Sequence, residues 1–75
     1  MKLDNRIKEL IAAGASVSAN CQPCLQHHTI EASKNGADKQ GIMEAIDIGK
    51  MVWRGAATTM DKFVASLTPH HSFLP

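Results

Sequence analysis

The chain has 75 residues, a formal net charge of +1 and three aromatic side chains, Trp53, Phe63 and Phe73. A domain of this size buries only about 60% of the surface its unfolded chain exposes, so it relies on a staple, a metal or a partner. Interleaved acids and bases exclude electrostatic nucleic-acid binding, and no run approaches the roughly 18 consecutive apolar residues of a membrane span.

The first predicted helix runs from about Asp4 to Ala19. Leu3, Ile7, Leu10, Gly14 and Val17 recur at steps of four and three and form one stripe. Asp4 is the expected N-cap, because its carboxylate can accept from free amides of the first turn. Asp4 and Glu9 stand where a signal peptide needs a basic start and an apolar centre, and "SVSANC" carries Asn20 before the cysteine, which does not suit a lipoprotein cleavage box. The expected location is therefore cytoplasmic.

Asn20 reads as the cap of a second helix, from Cys21 to about Lys34. Pro23 would sit in its first turn, where a missing N–H costs nothing. Asn35-Gly36 is the expected stop, since both residues tolerate a left-handed backbone.

Asp38 caps the third segment, whose stripe is Ile42, Ile46, Gly49, Trp53, Ala56, Met60, Phe63 and Leu67. Gly55 and the two threonines that follow lower helix propensity, so a break near Gly55 and a continuous helix are both open. Thr68-Pro69 ends the segment. The small, flexible apolar residues suit helix–helix packing, so the fold class is all-α: one small antiparallel helical domain over residues 1–68 and a tail over 69–75. His70 and His71 read as solvated tail residues.

A continuous third helix of thirty residues would be about 45 Å long. A compact globule of this chain length has a diameter of roughly 30 Å. The helix would overhang its own domain, which points to a homo-oligomer with the third segment in the interface.

"NCQPCLQHH", Asn20 to His28, holds both cysteines of the chain beside two histidines. On a helix beginning at Cys21, the side chains of Cys21, Cys24 and His28 span about 60° of arc, while His27 points about 100° away from His28. The first turn of a helix favours an anion, and an imidazole at i+4 from Cys24 can take its proton or stabilise its thiolate. Burial would oppose this by disfavouring the thiolate. Three readings remain: inert packing thiols, a zinc clamp of Cys21, Cys24, His27 and His28, and a redox pair. The zinc reading lacks a second ligand pair at typical spacing, so no metal is expected. No glycine-rich phosphate loop calls for an organic cofactor. In a reducing compartment a CxxC pair is chemical more often than structural, and a bridge closing so short a loop adds little stability.

Glu9, eleven residues, Cys21, two residues, Cys24, three residues, His28: this pattern resembles the alkylhydroperoxidase D-like branch of the carboxymuconolactone decarboxylase superfamily. Asn35 to Ala57 is similar to the helix–loop–helix that follows the motif there, and the likeness covers roughly Lys8 to Leu67. The resemblance implies an all-α fold, trimers or hexamers, and thiol-dependent peroxidase or disulfide-reductase chemistry. Carried over, Cys24 attacks peroxide, Cys21 resolves the sulfenic acid as a disulfide, and His28 and Glu9 form a proton relay. The implied partners are a hydroperoxide substrate and an external dithiol reductant. Decarboxylase members lack the cysteine pair, so lactone decarboxylation is not implied. Peroxidase members can place a further His between the cysteines; this chain has Gln22-Pro23 there. Read from the residues without the family pattern, Glu9 stands at the edge of its stripe, and a solvated glutamate pairing with nearby lysines is equally open. Two other functions stay open as well: a protein thiol–disulfide exchange partner or redox sensor, and a non-enzymatic helical assembly module.

Overall fold

A computed structural model describes residues 2–67. The tail expected over 69–75, with His70 and His71, and the Thr68-Pro69 stop lie outside the described residues. Three helices follow in order: α1 (Asn5–Ser18), α2 (Gln22–Lys34) and α3 (Lys39–Leu67). All regular structure among the described residues is helical, as the all-α expectation requires. Helix α1 packs against both others, and α2 and α3 barely touch.

The expected caps of α1 and α3 are in place. Asp4 Oδ1 accepts from the Ile7 amide at 2.8 Å, and Asp38 Oδ1 accepts from the Gly41 amide at 2.7 Å. Each satisfies one of the amides that the first turn leaves without an intrahelical partner.

The α1–α2 junction differs from the sequence reading. Asn20 is not an N-cap; it holds a left-handed backbone with φ of 57°. Its amide donates to Val17 O at 3.0 Å, and the Cys21 amide donates to Ser16 O at 3.0 Å. These two bonds form a Schellman ending for α1, and asparagine is one of the few residues other than glycine that enters this conformation at modest cost. The cap of α2 is therefore Cys21, whose Sγ accepts from the Cys24 amide at 3.3 Å. Pro23 falls in the first turn as expected.

Helix α2 ends the same way. Gly36 has φ of 94°, its amide donates to Ser33 O at 3.1 Å, and the Ala37 amide donates to Ala32 O at 2.9 Å. Ala32 and Ala37, the two residues joined by the longer-range bond, are both buried.

Helices α1 and α3 cross backbone to backbone. A Cβ on Gly14 would stand 2.8 Å from Ala45 O, and one on Gly49 would run into Gly14 O, with Val17 Cβ 2.9 Å away. Only glycine allows so close an approach. Helix α3 is continuous through Gly55. One glycine costs about 1 kcal/mol against alanine, and two threonines cost less; flanking alanines and methionines carry the helix across.

The core this arrangement makes is small. Among the described residues the buried apolar side chains are Ala13, Ala32 and Ala37, and none of the large ones is fully buried. The body measures 54 × 23 × 23 Å with a radius of gyration of 16.9 Å. A compact chain of this length has about 11 Å, so the overhang expected from the length of α3 is present.

Candidate functional site

Each end of the site is placed by local structure. Ser16 is 5% exposed, its carbonyl receives the Cys21 amide, and its hydroxyl donates to Ala12 O at 2.7 Å. The chain reverses through Asn20 directly into α2, which leaves Cys21 at the mouth of that helix. Cys24 follows one turn later. The two sulfurs are joined as a disulfide, with Cα atoms 5.3 Å apart. Cys21 is half-buried and Cys24 is exposed. The pair thus lies at a helix N-terminus, where free amides and the helix dipole favour negative charge on sulfur once the bond is opened.

His28 stands one turn beyond Cys24 on the same helix, a spacing that makes the two side chains neighbours. Its Nδ1 lies 2.6 Å from Glu9 Oε2. A carboxylate offers only acceptor oxygens, so the Nδ1–H donates, and in the neutral ring that leaves the lone pair on Nε2. Both side chains are partly withdrawn from solvent, 30% exposed for His28 and 25% for Glu9. Glu9 belongs to α1, so this bond ties the two helices together beside the disulfide.

The four residues singled out in the sequence therefore fall into two joined pairs, Cys21 with Cys24 and His28 with Glu9. The solvated reading of Glu9 is replaced by this bond. His27 is exposed, as its angle predicts, and meets the His28 ring edge-on with centroids 4.9 Å apart. Among the described residues no group of three or more His, Cys, Asp or Glu is placed to hold a metal ion. No helix there is long and apolar enough to cross a membrane.

Sequence reasoning missed Ser16 and the role of Asn20. The only local signal was the small-residue run Ser16 to Asn20 ahead of the cysteine, which fits a tight helix ending as well as it fits a cap.

Comparison with known proteins agrees with this picture. The chain is 38% identical over 55 residues to "Uncharacterized protein 4 in cox locus" of Paracoccus denitrificans. The match covers 73% of this chain and 50% of that protein, so the chain spans about half the length of this curated relative. No solved structure matches the chain. The model of the carboxymuconolactone decarboxylase family matches residues 1–65. With three helices, a CxxC pair at the start of the second and a match over nearly the whole described length, the chain belongs to the carboxymuconolactone decarboxylase family.

Proposed function

We propose that the protein is a thiol-dependent oxidoreductase that cycles Cys21 and Cys24 between dithiol and disulfide and reduces hydroperoxides. The observation that carries the reading is the disulfide at the head of α2 beside the His28–Glu9 pair. In the reduced form, His28 Nε2 accepts the Cys24 thiol proton, with Glu9 stabilising the imidazolium through Nδ1. The Cys24 thiolate attacks the terminal oxygen of a hydroperoxide. The O–O bond breaks, the sulfur becomes a sulfenic acid, and the departing alkoxide takes the proton and leaves as alcohol. The Cys21 thiol then condenses with the sulfenic acid, releasing water and forming the disulfide.

An external dithiol closes the cycle. Its thiolate attacks Cys24, the exposed member, and Cys21 departs as a thiolate. The Cys24 amide that already points at Cys21 Sγ receives that charge. The second reductant thiol completes the exchange, so two electrons pass from dithiol to peroxide per turnover.

The test is peroxide consumption with a small dithiol as reductant. Wild type should consume peroxide, Cys24→Ser should not, and His28→Ala should be slowed by about 100-fold. Exchange of disulfides with a thiol substrate and no peroxide consumption would assign the same site to protein thiol–disulfide exchange instead. Unchanged behaviour after alkylation of both thiols would leave only an assembly role.

A further inference from the structure

His27 stands beside the disulfide with nothing bound to it. The residue is exposed, and apart from the edge-on contact with the His28 ring its side chain has no partner among the described residues. Its ring nitrogens are open to solvent and to whatever approaches Cys24.

Position on α2 separates the two histidines. At about 100° per residue, His28 lies about 40° to one side of Cys24 and His27 about 60° to the other. Cys21, the cap of the helix, falls on the His28 side. His28 is held toward α1 by Glu9 Oε2, at 2.6 Å, whereas His27 is turned outward. Glu31, four residues on, is the neighbour of His27 along the helix, and its carboxylate lies 3.6 Å from Lys34 Nζ. From α1 the facing acid is Glu9, already bonded to His28, and α3 barely touches α2.

Opening the bridge calls for a base on that outward side. Cys24 is exposed and Cys21 half-buried, so an incoming sulfur reaches Cys24 first. Displacement at sulfur runs in line, with the nucleophile entering opposite the departing sulfur. Cys21 lies to the His28 side of Cys24, so the entry side is the His27 side. The thiolate is the form that attacks, and an ordinary thiol with pKa near 8.5 is only about 3% thiolate at pH 7. A base that takes the proton within the encounter therefore raises the rate by up to about 30-fold.

We propose that His27 is a catalytic residue of the reductive half of the cycle, the general base for the thiol of the external dithiol. The S–H bond of that thiol breaks and its proton passes to a ring nitrogen of His27. The sulfur bonds to Cys24 Sγ, the Cys21–Cys24 bond breaks, and Cys21 leaves with the electron pair as a thiolate. The second thiol of the reductant gives its proton to the Cys21 thiolate and attacks its partner sulfur in the mixed disulfide. Cys24 leaves as a thiolate and takes the proton held by His27. Two electrons and two protons pass from the dithiol, which is oxidised, to the bridge, which is reduced. His28 thus serves the protein's own thiol against peroxide, and His27 serves the foreign one. The inference rests on the reading of Cys21 and Cys24 as a redox pair.

Reduction of the oxidised chain by dithiothreitol, with no peroxide present, tests it; alkylation of the freed thiols at timed intervals gives the rate. At pH 7 His27→Ala and His27→Gln should each react about 10-fold or more slowly than wild type. Gln26→Ala, at an exposed neighbouring position outside the site, should react as wild type does. Between pH 6 and pH 8 the His27→Ala rate should climb about tenfold per pH unit, following the thiolate fraction of the reductant, while the wild-type rate climbs less steeply. Added imidazole should restore part of the lost rate in His27→Ala and leave wild type unchanged. A structural role for an exposed ring would produce neither the altered slope nor the rescue. Equal rates, parallel pH profiles or an absence of rescue overturns the assignment. A chain reduced in this His27-dependent way that consumes no peroxide would sink the peroxidase reading alone, and a bridge that dithiothreitol does not open would sink both.

Discussion

Replacing Gly49 by alanine inserts one methyl group where α1 and α3 cross. The new Cβ would collide with Gly14 O and stand 2.9 Å from Val17 Cβ and 3.0 Å from Gly14 C. Ordinary contact begins at 3.4 Å, so the helices must part by about half an ångström or more. Two of the three obstructing atoms are backbone, and no rotamer change relieves them. Overpacking of this kind costs about 1–3 kcal/mol, with the upper end expected here, while the better helix propensity of alanine returns about 1 kcal/mol. The net loss is about 2 kcal/mol, or roughly 8–16 °C in Tm for a domain of this size. Gly41→Ala is the control, because a Cβ there meets only the Asp38 side-chain oxygen, at 3.1 Å; it should stay within about 0.5 kcal/mol of wild type. Urea unfolding followed by circular dichroism, at one protein concentration and with the disulfide intact, reads both. A Gly49→Ala protein as stable as wild type would refute the backbone-contact account of this crossing.

Other substitutions probe the remaining joints. Asp4→Ala and Asp38→Ala each remove a cap and should cost about 1 kcal/mol in the same unfolding assay. Asn20→Ala places a Cβ-bearing residue without a compensating side-chain bond at positive φ and should cost about 1 kcal/mol, whereas Asn20→Gly should match or exceed wild type; equal losses for both would contradict the Schellman ending. Glu9→Gln keeps the size of the side chain but removes the charge that stabilises a His28 imidazolium, so peroxide turnover should fall about 10-fold or more with little change in melting temperature. Unaltered turnover would detach Glu9 from the proposed relay.

What could be read from the sequence was set by how local each determinant is. Asp4 and Asp38 act on amides three residues away, so the capping pattern lies within one turn. The i, i+4 relation of Cys24 and His28 depends only on α2 being a helix, and Cys21 joins them as the residue that caps it. Asn20 was misread because asparagine serves both as an N-cap and as a left-handed helix terminator; the choice is made by a bond reaching back to Ser16. Gly55 was undecidable because propensities sum over many residues, and the sum here is close to balance. The Glu9–His28 bond spans nineteen residues of chain and depends on how α1 and α2 dock. Periodicity could put Glu9 only at the edge of a stripe; its partner came from the family resemblance.

The corner at Cys21 has no slack. The amide of that residue closes one helix and its sulfur opens the next, so the two rods share an elbow one residue wide. Inserting or deleting a single position between Ser18 and Gln22 would dislodge the thiol and swing α2 away from α1 in one stroke. That makes the elbow intolerant of any change in length, because one position serves two helix ends at once.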